Sequence, residues 1–390
     1  MKQSVESLFL QLIRIACGNA VKFTSPVSAE EWEDLMNKTE KHGITGVAFD
    51  GVEKLPKEHM PPLSIIMKWT AYVDCKERRS VRLNRVSVNM SAMFERDGKN
   101  ACIIKGASVG CLYPNPHRRD VGDVDVWMAG GYDNVSEYVR KKFAKVKGAG
   151  GGHHLSVVMD GVSVEVHFMP AELYNFWHNR YLKVYYKEIE AKPWRSRIRL
   201  ETGDFIVPEI QVSLVIVIVH LFHHWAFEGI GMKQVLDCYW VLKRVGKAGA
   251  EDSKGMDCGC RKRADEIRND TMALFERIGI DKFVAALMYV LCQIGMDEDD
   301  LLCVPNVKYG QRLLDDIFVT GVVWADDLLN GKYGRESKLH KFCRRFCRVV
   351  RIMPMAPSEL PCMLLKNVLG WMSERIVSYL KLECTNESSR

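Results

Sequence analysis

Asp123 and Asp125 are the first residues in this 390-residue chain whose types and spacing could do chemistry. They stand in the alternating run Asp123-Val124-Asp125-Val126-Trp127. In an extended strand successive side chains point to opposite faces. The two carboxylates therefore share one face, and the valines take the other. Paired carboxylates repel unless a cation lies between them. Mg²⁺ is held by one or two carboxylates together with substrate phosphates. Such a pair is therefore the starting material for metal-assisted phosphoryl transfer. A D-x-D pair by itself more often marks a solvated strand end, so its surroundings decide.

A second constellation lies downstream. Asp160-Gly161 links two alternating runs, which is a hairpin signal. With those two residues as the loop, Met159 pairs with Val162, Ser156 opposes Glu165, and His154 opposes His167. Glu165, Ser163 and His167 then share a polar face with His154 and Ser156, while the valines and Leu155 form an apolar one. A third carboxylate thus sits in mid-strand between two imidazoles. That set suits a metal, a phosphate contact or plain solvation. His153 is expected to turn to the apolar side or to fray. Near the aspartates stand Lys105, the turn Gly106-Ala107-Ser108, and Arg118-Arg119. The basic residues could clamp phosphates or balance local negative charge.

The elements that must position these residues read as follows. Residues 4 to 16 have one apolar stripe at helical spacing, and Ser28 with Glu31 forms a capping box. Pro61-Pro62 opens a long helix from Leu63 to Arg96, and Asp97-Gly98 closes it. Strands are predicted at Ala101–Lys105, Asp123–Met128, His153–Met159 and Val162–Phe168. A short helix falls at Gly106–Leu112 and a longer one at Tyr132–Val146. Gly148 to Gly152 is a flexible run, and Leu173 to Lys192 is aromatic-rich and ambiguous. Pro208 starts a helix through His224, Met232 to Val245 forms the next, and residues 246–260 read as a linker or long loop. The remainder is helical. Three segments result: helices over 1–100, a mixed sheet over 101–207 and helices over 208–390.

Composition sets the wider limits. Net charge is +6, which fits a phosphate-bearing ligand without demanding nucleic acid. The 13 cysteines form no C-x-x-C pair, and Cys258-Gly259-Cys260 has the wrong spacing for a zinc knuckle. Free thiols in a reducing cytoplasm are expected. The N-terminus reads as an amphipathic helix rather than a signal peptide. Leu214 to Val219 is too short to span a bilayer, so no membrane span is expected. His220 and His224 are i, i+4 neighbours but lack the glutamate of H-E-x-x-H. From Lys332 to Arg351 basic residues flank an apolar stripe. That pattern suits RNA, an acidic partner or a membrane surface, and more often a solvated helix face.

Strand, Gly-x-Ser turn, helix, D-x-D strand and a third acid on a later strand together resemble the DNA polymerase β-like nucleotidyltransferase superfamily. The pattern resembles in particular an uncharacterised bacterial branch of it. The matching residues are Lys105-Gly106-Ala107, Tyr113-Pro114-Asn115-Pro116, Arg118-Arg119, Gly122-Asp123-Val124-Asp125 and Glu165-Val166-His167. His223-His224, Gly229 to Gly231 and Asp237 extend the likeness, which covers roughly residues 30 to 245. The usual turn is Gly-Gly or Gly-Ser; here it is Gly106-Ala107-Ser108, with a Pro-rich insert before Asp123.

The resemblance implies an α+β fold, with a small mixed sheet of nucleotidyltransferase type flanked by helices. It implies that Asp123 and Asp125 bind two Mg²⁺ or Mn²⁺ ions, and that Glu165 assists and activates the attacking hydroxyl. Gly106 and Ser108 would grip the triphosphate; Lys105, Arg118, Arg119, His154 and His167 would contact the nucleotide. The activity expected is transfer of a nucleotidyl group from an NTP to a hydroxyl of a small molecule, protein or RNA. The site should lie between the sheet and the helices after residue 208. The alternatives are a non-catalytic nucleotide-binding or regulatory module, and an RNA-binding protein using the basic C-terminal helix.

Overall fold

The structure is a computed structural model in which residues 4–148, 152–194, 196–251, 257–321 and 346–366 are described. Its second helix begins at the expected capping box. Ser4 caps α1 (Val5–Ala16), and Ser28 and Glu31 close a capping box on α2 (Ala29–Lys41). Next comes α3 (Thr45–Glu53), which the sequence pattern does not reveal. Every residue from Thr45 to Val52 is buried, so no polar face gives the helix a readable period. After it, α4 (Leu63–Arg96) runs between the predicted limits and ends at Gly98 with φ +66°.

The sheet is built from β1 (Ala101–Ile104), then α5 (Gly106–Gly110), β2 (Val124–Met128), α6 (Gly131–Lys142), β3 (Lys147–Gly148), β4 (His154–Met159) and β5 (Val162–His167). Its strand order is β1-β2-β5-β4-β3. The β2–β5 pair is parallel and the others are antiparallel, so the sheet is mixed as expected. The hairpin register is the predicted one, from Met159↔Val162 to His154↔His167.

Helix α7 (Phe176–Glu190) resolves the aromatic-rich stretch. A two-stranded sheet follows, β6 (Arg197–Leu200) with β7 (Gly203–Ile206), which the sequence reading did not anticipate. Its strands are only four residues long, at the lower limit for reading alternation. Five helices follow, α8 (Ile210–Phe227), α9 (Met232–Glu251), α10 (Asp257–Arg277), α11 (Asp281–Gln293) and α12 (Val307–Thr320), and helical residues 346–352 and 360–366 complete the described chain. The linker expected over 246–260 is therefore largely helix, since α9 continues to Glu251 and α10 starts at Asp257. By length and composition α8 could cross a membrane, but most of it is buried inside the fold.

Two apolar clusters meet at the sheet. Ala101, Ile103, Val126 and Met128 face one, with Val164, Val166 and the second half of α4. Cys102, Ile104 and Trp127 face the other, which joins α1–α3 to α8–α12. Asp125 is two residues from Trp127, so it points to the second side, toward α8 and α9.

Along its length α4 also grips the loops of the sheet. Lys76 pairs with Asp120 at 3.4 Å, and Glu77 accepts from Arg118 at 2.8 Å. Arg79 donates to the Gly122 carbonyl at 2.8 Å, and Arg82 to that of Asp160. Further on, Ser91 accepts from the Ile206 N–H at 3.1 Å and Glu95 pairs with Arg197.

Candidate active site

Parallel pairing of β2 with β5 sets Asp125 directly opposite Glu165. One donor atom each from Asp125, Glu165 and His167 lies within 4.8 Å of the others. Asp125 is buried, and its Oδ1 receives both Lys105 Nζ and His167 Nε2 at 2.8 Å. Burial alone would raise the Asp125 carboxyl, but Lys105 and His167 hold it well below the usual carboxylate range. Glu165 shows the same balance: burial raises it, and the bond from His167 brings it below its ordinary value. Asp123 differs. Burial, then the charges of Asp125 and Glu165, push it up to about 6. The cavity thus holds more carboxylate charge than its own cations neutralise. That deficit, and the oxygen donors, fit a hard divalent cation.

The turn after β1 places Lys105. Its backbone has φ 51° and ψ −132°, a conformation L residues seldom adopt. That turn brings Gly106 against the acids: a Cβ there would lie 3.4 Å from the Asp123 carbonyl and 4.0 Å from Asp125 Oδ2. Ser108 points elsewhere. Its buried hydroxyl donates to the Lys105 carbonyl at 2.9 Å, and it does not line the cavity. That bond shapes the turn; of the pair expected to grip the triphosphate, Gly106 lines the cavity and Ser108 does not.

The cavity, about 410 Å³, lies between the sheet and α8–α9. Lys105, Gly106, Asp123, Asp125 and Glu165 line one wall; His220, His223, His224, Lys233 and Asp237 line the other. Arg118 is not at this cavity. Its guanidinium binds Asp50 at 2.6 Å and Glu77 at 2.8 Å, with Glu53 as a third partner. The predicted phosphate clamp is instead a tie between α3 and α4. Arg119 does reach the cavity, but Asp237 holds it at 2.6 Å through both Nε and Nη2. The Tyr113 hydroxyl donates to the same carboxylate at 2.7 Å.

Two residues were missed. Lys233 lines the cavity and makes no ion pair among the described residues; burial, then Arg119, lowers its ammonium. Its only sequence signal is its place in the first turn of α9, after Gly231. The other is His153, expected to face the apolar side. Its ring lies 5.2 Å from those of both His154 and His167. It precedes β4, so strand alternation does not govern it. His154 Nε2 and His167 Nε2 each stand 3.4 Å from a Glu165 oxygen, so these imidazoles back the carboxylate. Across the cavity, His223 stacks on Tyr174 at 4.8 Å and His224 bonds Glu228.

Of the basic run, residues 332–345 lie outside the described residues. Arg348 and Arg351 both bond the buried Asp316, and Arg348 also donates to the Trp225 and Ala226 carbonyls at the end of α8. Those two cations serve the fold.

The small five-stranded mixed sheet flanked by helices is the fold expected of a nucleotidyltransferase. Residues 28–262 match the family described as "Uncharacterised nucleotidyltransferase", and the chain belongs to that family. No curated protein matches. Among solved structures, the chain is similar to an antigenic nucleotidyltransferase-like protein from Paracoccidioides brasiliensis. The two share 13% identity over 50% of this chain and 91% of that one, with a TM-score of 0.30.

Proposed function

We propose that the protein transfers a nucleotidyl group from an NTP to a hydroxyl of a small molecule, a protein or an RNA. Asp123, Asp125 and Glu165 would hold the divalent cations, two Mg²⁺ or Mn²⁺. The observation that carries this reading is the β2–β5 register, which sets Asp125 against Glu165 with Asp123 on the same cavity wall. The ions would supply charge neutralisation at the transferring phosphate and at the attacking oxygen.

The chain's own residues do the rest. Lys105 and Lys233 bring positive charge to a triphosphate from opposite walls. Gly106 leaves room for phosphate beside the acids. His154 and His167 orient Glu165, which accepts the proton of the acceptor hydroxyl. The freed oxygen attacks the α-phosphorus, and the bond to the β-phosphate oxygen breaks to release pyrophosphate. A cytoplasmic setting is consistent with the nine cysteines whose side chains are described, all of which are free.

The test is incubation with each labelled NTP, Mg²⁺ or Mn²⁺ and a cell extract, with self-nucleotidylation in Mn²⁺ read by intact mass. Label should move only with a divalent ion and should vanish in Asp125→Asn. Unchanged Mg²⁺-dependent NTP binding by Asp123→Asn in calorimetry would sink the metal assignment. One observation favours a second reading, a non-catalytic nucleotide-binding module: Lys105 and His167 already satisfy Asp125. That module shows no transfer with any acceptor and similar modest binding losses for Asp125→Asn and Glu165→Gln.

A further inference from the structure

Three imidazoles, His153 and His154 on the cavity wall and the buried His167 behind them, have a geometry that holding carboxylates does not explain. His153, His154 and His167 each offer one ring nitrogen within 4.8 Å of the other two. Their ring centroids form a nearly equilateral triangle, with sides of 5.2, 5.2 and 5.1 Å. Imidazoles on one tetrahedral ion, with bonds of about 2.0–2.1 Å, have ring centres ~5 Å apart. The triangle therefore already has the size of a three-histidine metal centre.

The hydrogen bonds point the same way. His167 is fully buried and engages Asp125 through Nε2, while its Nδ1 has no partner. His154 repeats the pattern: Nε2 stands 3.4 Å from Glu165 Oε1, and Nδ1 is buried without a partner. A buried ring nitrogen with no partner is costly and calls for an explanation. In metal centres the ligating imidazole gives its other N–H to a carboxylate, which fixes tautomer and ring orientation. Asp125–His167 has that arrangement, and Glu165 stands within ion-pair reach of His154 Nε2.

We infer that His153, His154 and His167 bind one borderline transition-metal ion, Zn²⁺ by ligand chemistry, beside the carboxylate site and distinct from it. Imidazole nitrogen suits Zn²⁺, whereas carboxylate oxygen suits Mg²⁺. Three protein ligands leave a fourth position open to water or a substrate atom. The inference stands on the histidines and does not require the nucleotidyl-transfer reading.

The full chain, stripped by a chelator and dialysed, is titrated with Co²⁺ as a spectroscopic probe and with Zn²⁺ in calorimetry, both in excess Mg²⁺. One equivalent of Co²⁺ should develop the visible bands of a four-coordinate nitrogen site, and Zn²⁺ should displace it. His153→Ala should weaken Zn²⁺ binding by about tenfold or more, at least the loss seen for removing an outer partner. Asp123→Asn should lose Mg²⁺-dependent NTP binding and keep Zn²⁺, so the two metal assignments fail separately. If His153→Ala does not fold by circular dichroism, His153→Gln replaces it in the same comparison. The inference is overturned by the lack of 1:1 binding in the wild type. A near-ultraviolet thiolate band, which would assign the ion to cysteines, overturns it too, as does equal Zn²⁺ affinity in wild type and variant.

Discussion

Replacing Glu165 by glutamine keeps the side chain's volume and removes its charge. If Glu165 accepts the hydroxyl proton, the variant should bind NTP nearly as well as the wild type. Its turnover should fall by about 10² or more, the usual scale for losing a general base. Asp125→Asn should lose both, and it also leaves the Lys105 ammonium buried without its anion. Equal self-labelling by wild type and Glu165→Gln would count against the base assignment. The adjacent arginines make a second test. Arg119→Met strands the buried Asp237 and Arg118→Met the buried Asp50, so each should cost about 3–5 kcal/mol. An unchanged urea midpoint in either variant would remove that pair from the fold's support. Sequence alone treats these arginines alike, because Asp237 is 118 residues away and Asp50 is 68. What the sequence does reveal at this scale is local: a period of two puts Asp123 with Asp125, and an Asp-Gly turn puts Glu165 with His154 and His167.

Elements were legible where a strong signal bounded them. Paired prolines and Asp-Gly bracket α4, and the capping box opens α2. The helix α3 was hidden because it is buried on all sides, and its packing yields a sharp test. A Cβ on Gly46 would lie 2.2 Å from the Arg118 carbonyl oxygen. That neighbour is backbone, so either α3 or the 116–118 turn must move. Gly46→Ala should destabilise by about 1–3 kcal/mol, as overpacking does. The denaturant midpoint should fall while its slope holds; an unchanged midpoint would show that the two elements separate freely.

Across the whole molecule, His42 joins the N-terminal helices to α9. Its Nδ1 accepts from the Met232 N–H at 3.3 Å, and its carbonyl from the Lys233 N–H at 3.2 Å. Burial, then the charges of Lys38 and Lys41, lower its imidazole to about 3. The folded protein thus keeps His42 neutral where the unfolded chain, titrating near 6.5, takes up a proton. Protonation favours the unfolded state, so stability is full above about pH 6.5 and declines as pH falls toward 3. From pH 7 to 5 this single group should remove about 2 kcal/mol. His42→Gln, which retains an acceptor for Met232, should show a shallower acid slope in urea titrations at the two pH values. Parallel slopes would remove His42 from the acid response.

The grip of α4 on the loops of the sheet fixes a phase as well as a distance. Lys76, Glu77, Arg79 and Arg82 meet the approach to Asp123 and the 160–161 turn, while Ser91 and Glu95 meet β7 and Arg197. A helix advances about 100° and 1.5 Å per residue. One residue inserted between Arg82 and Ser91 would therefore turn the two groups of contacts out of step by more than a quarter of a revolution, although no side chain in the cavity has changed. Seven inserted residues return the angle to within ~20° but lengthen the span by ~10 Å. Neither insertion lets both sets of contacts form together. The acids keep their places only while the helix behind the sheet keeps its count.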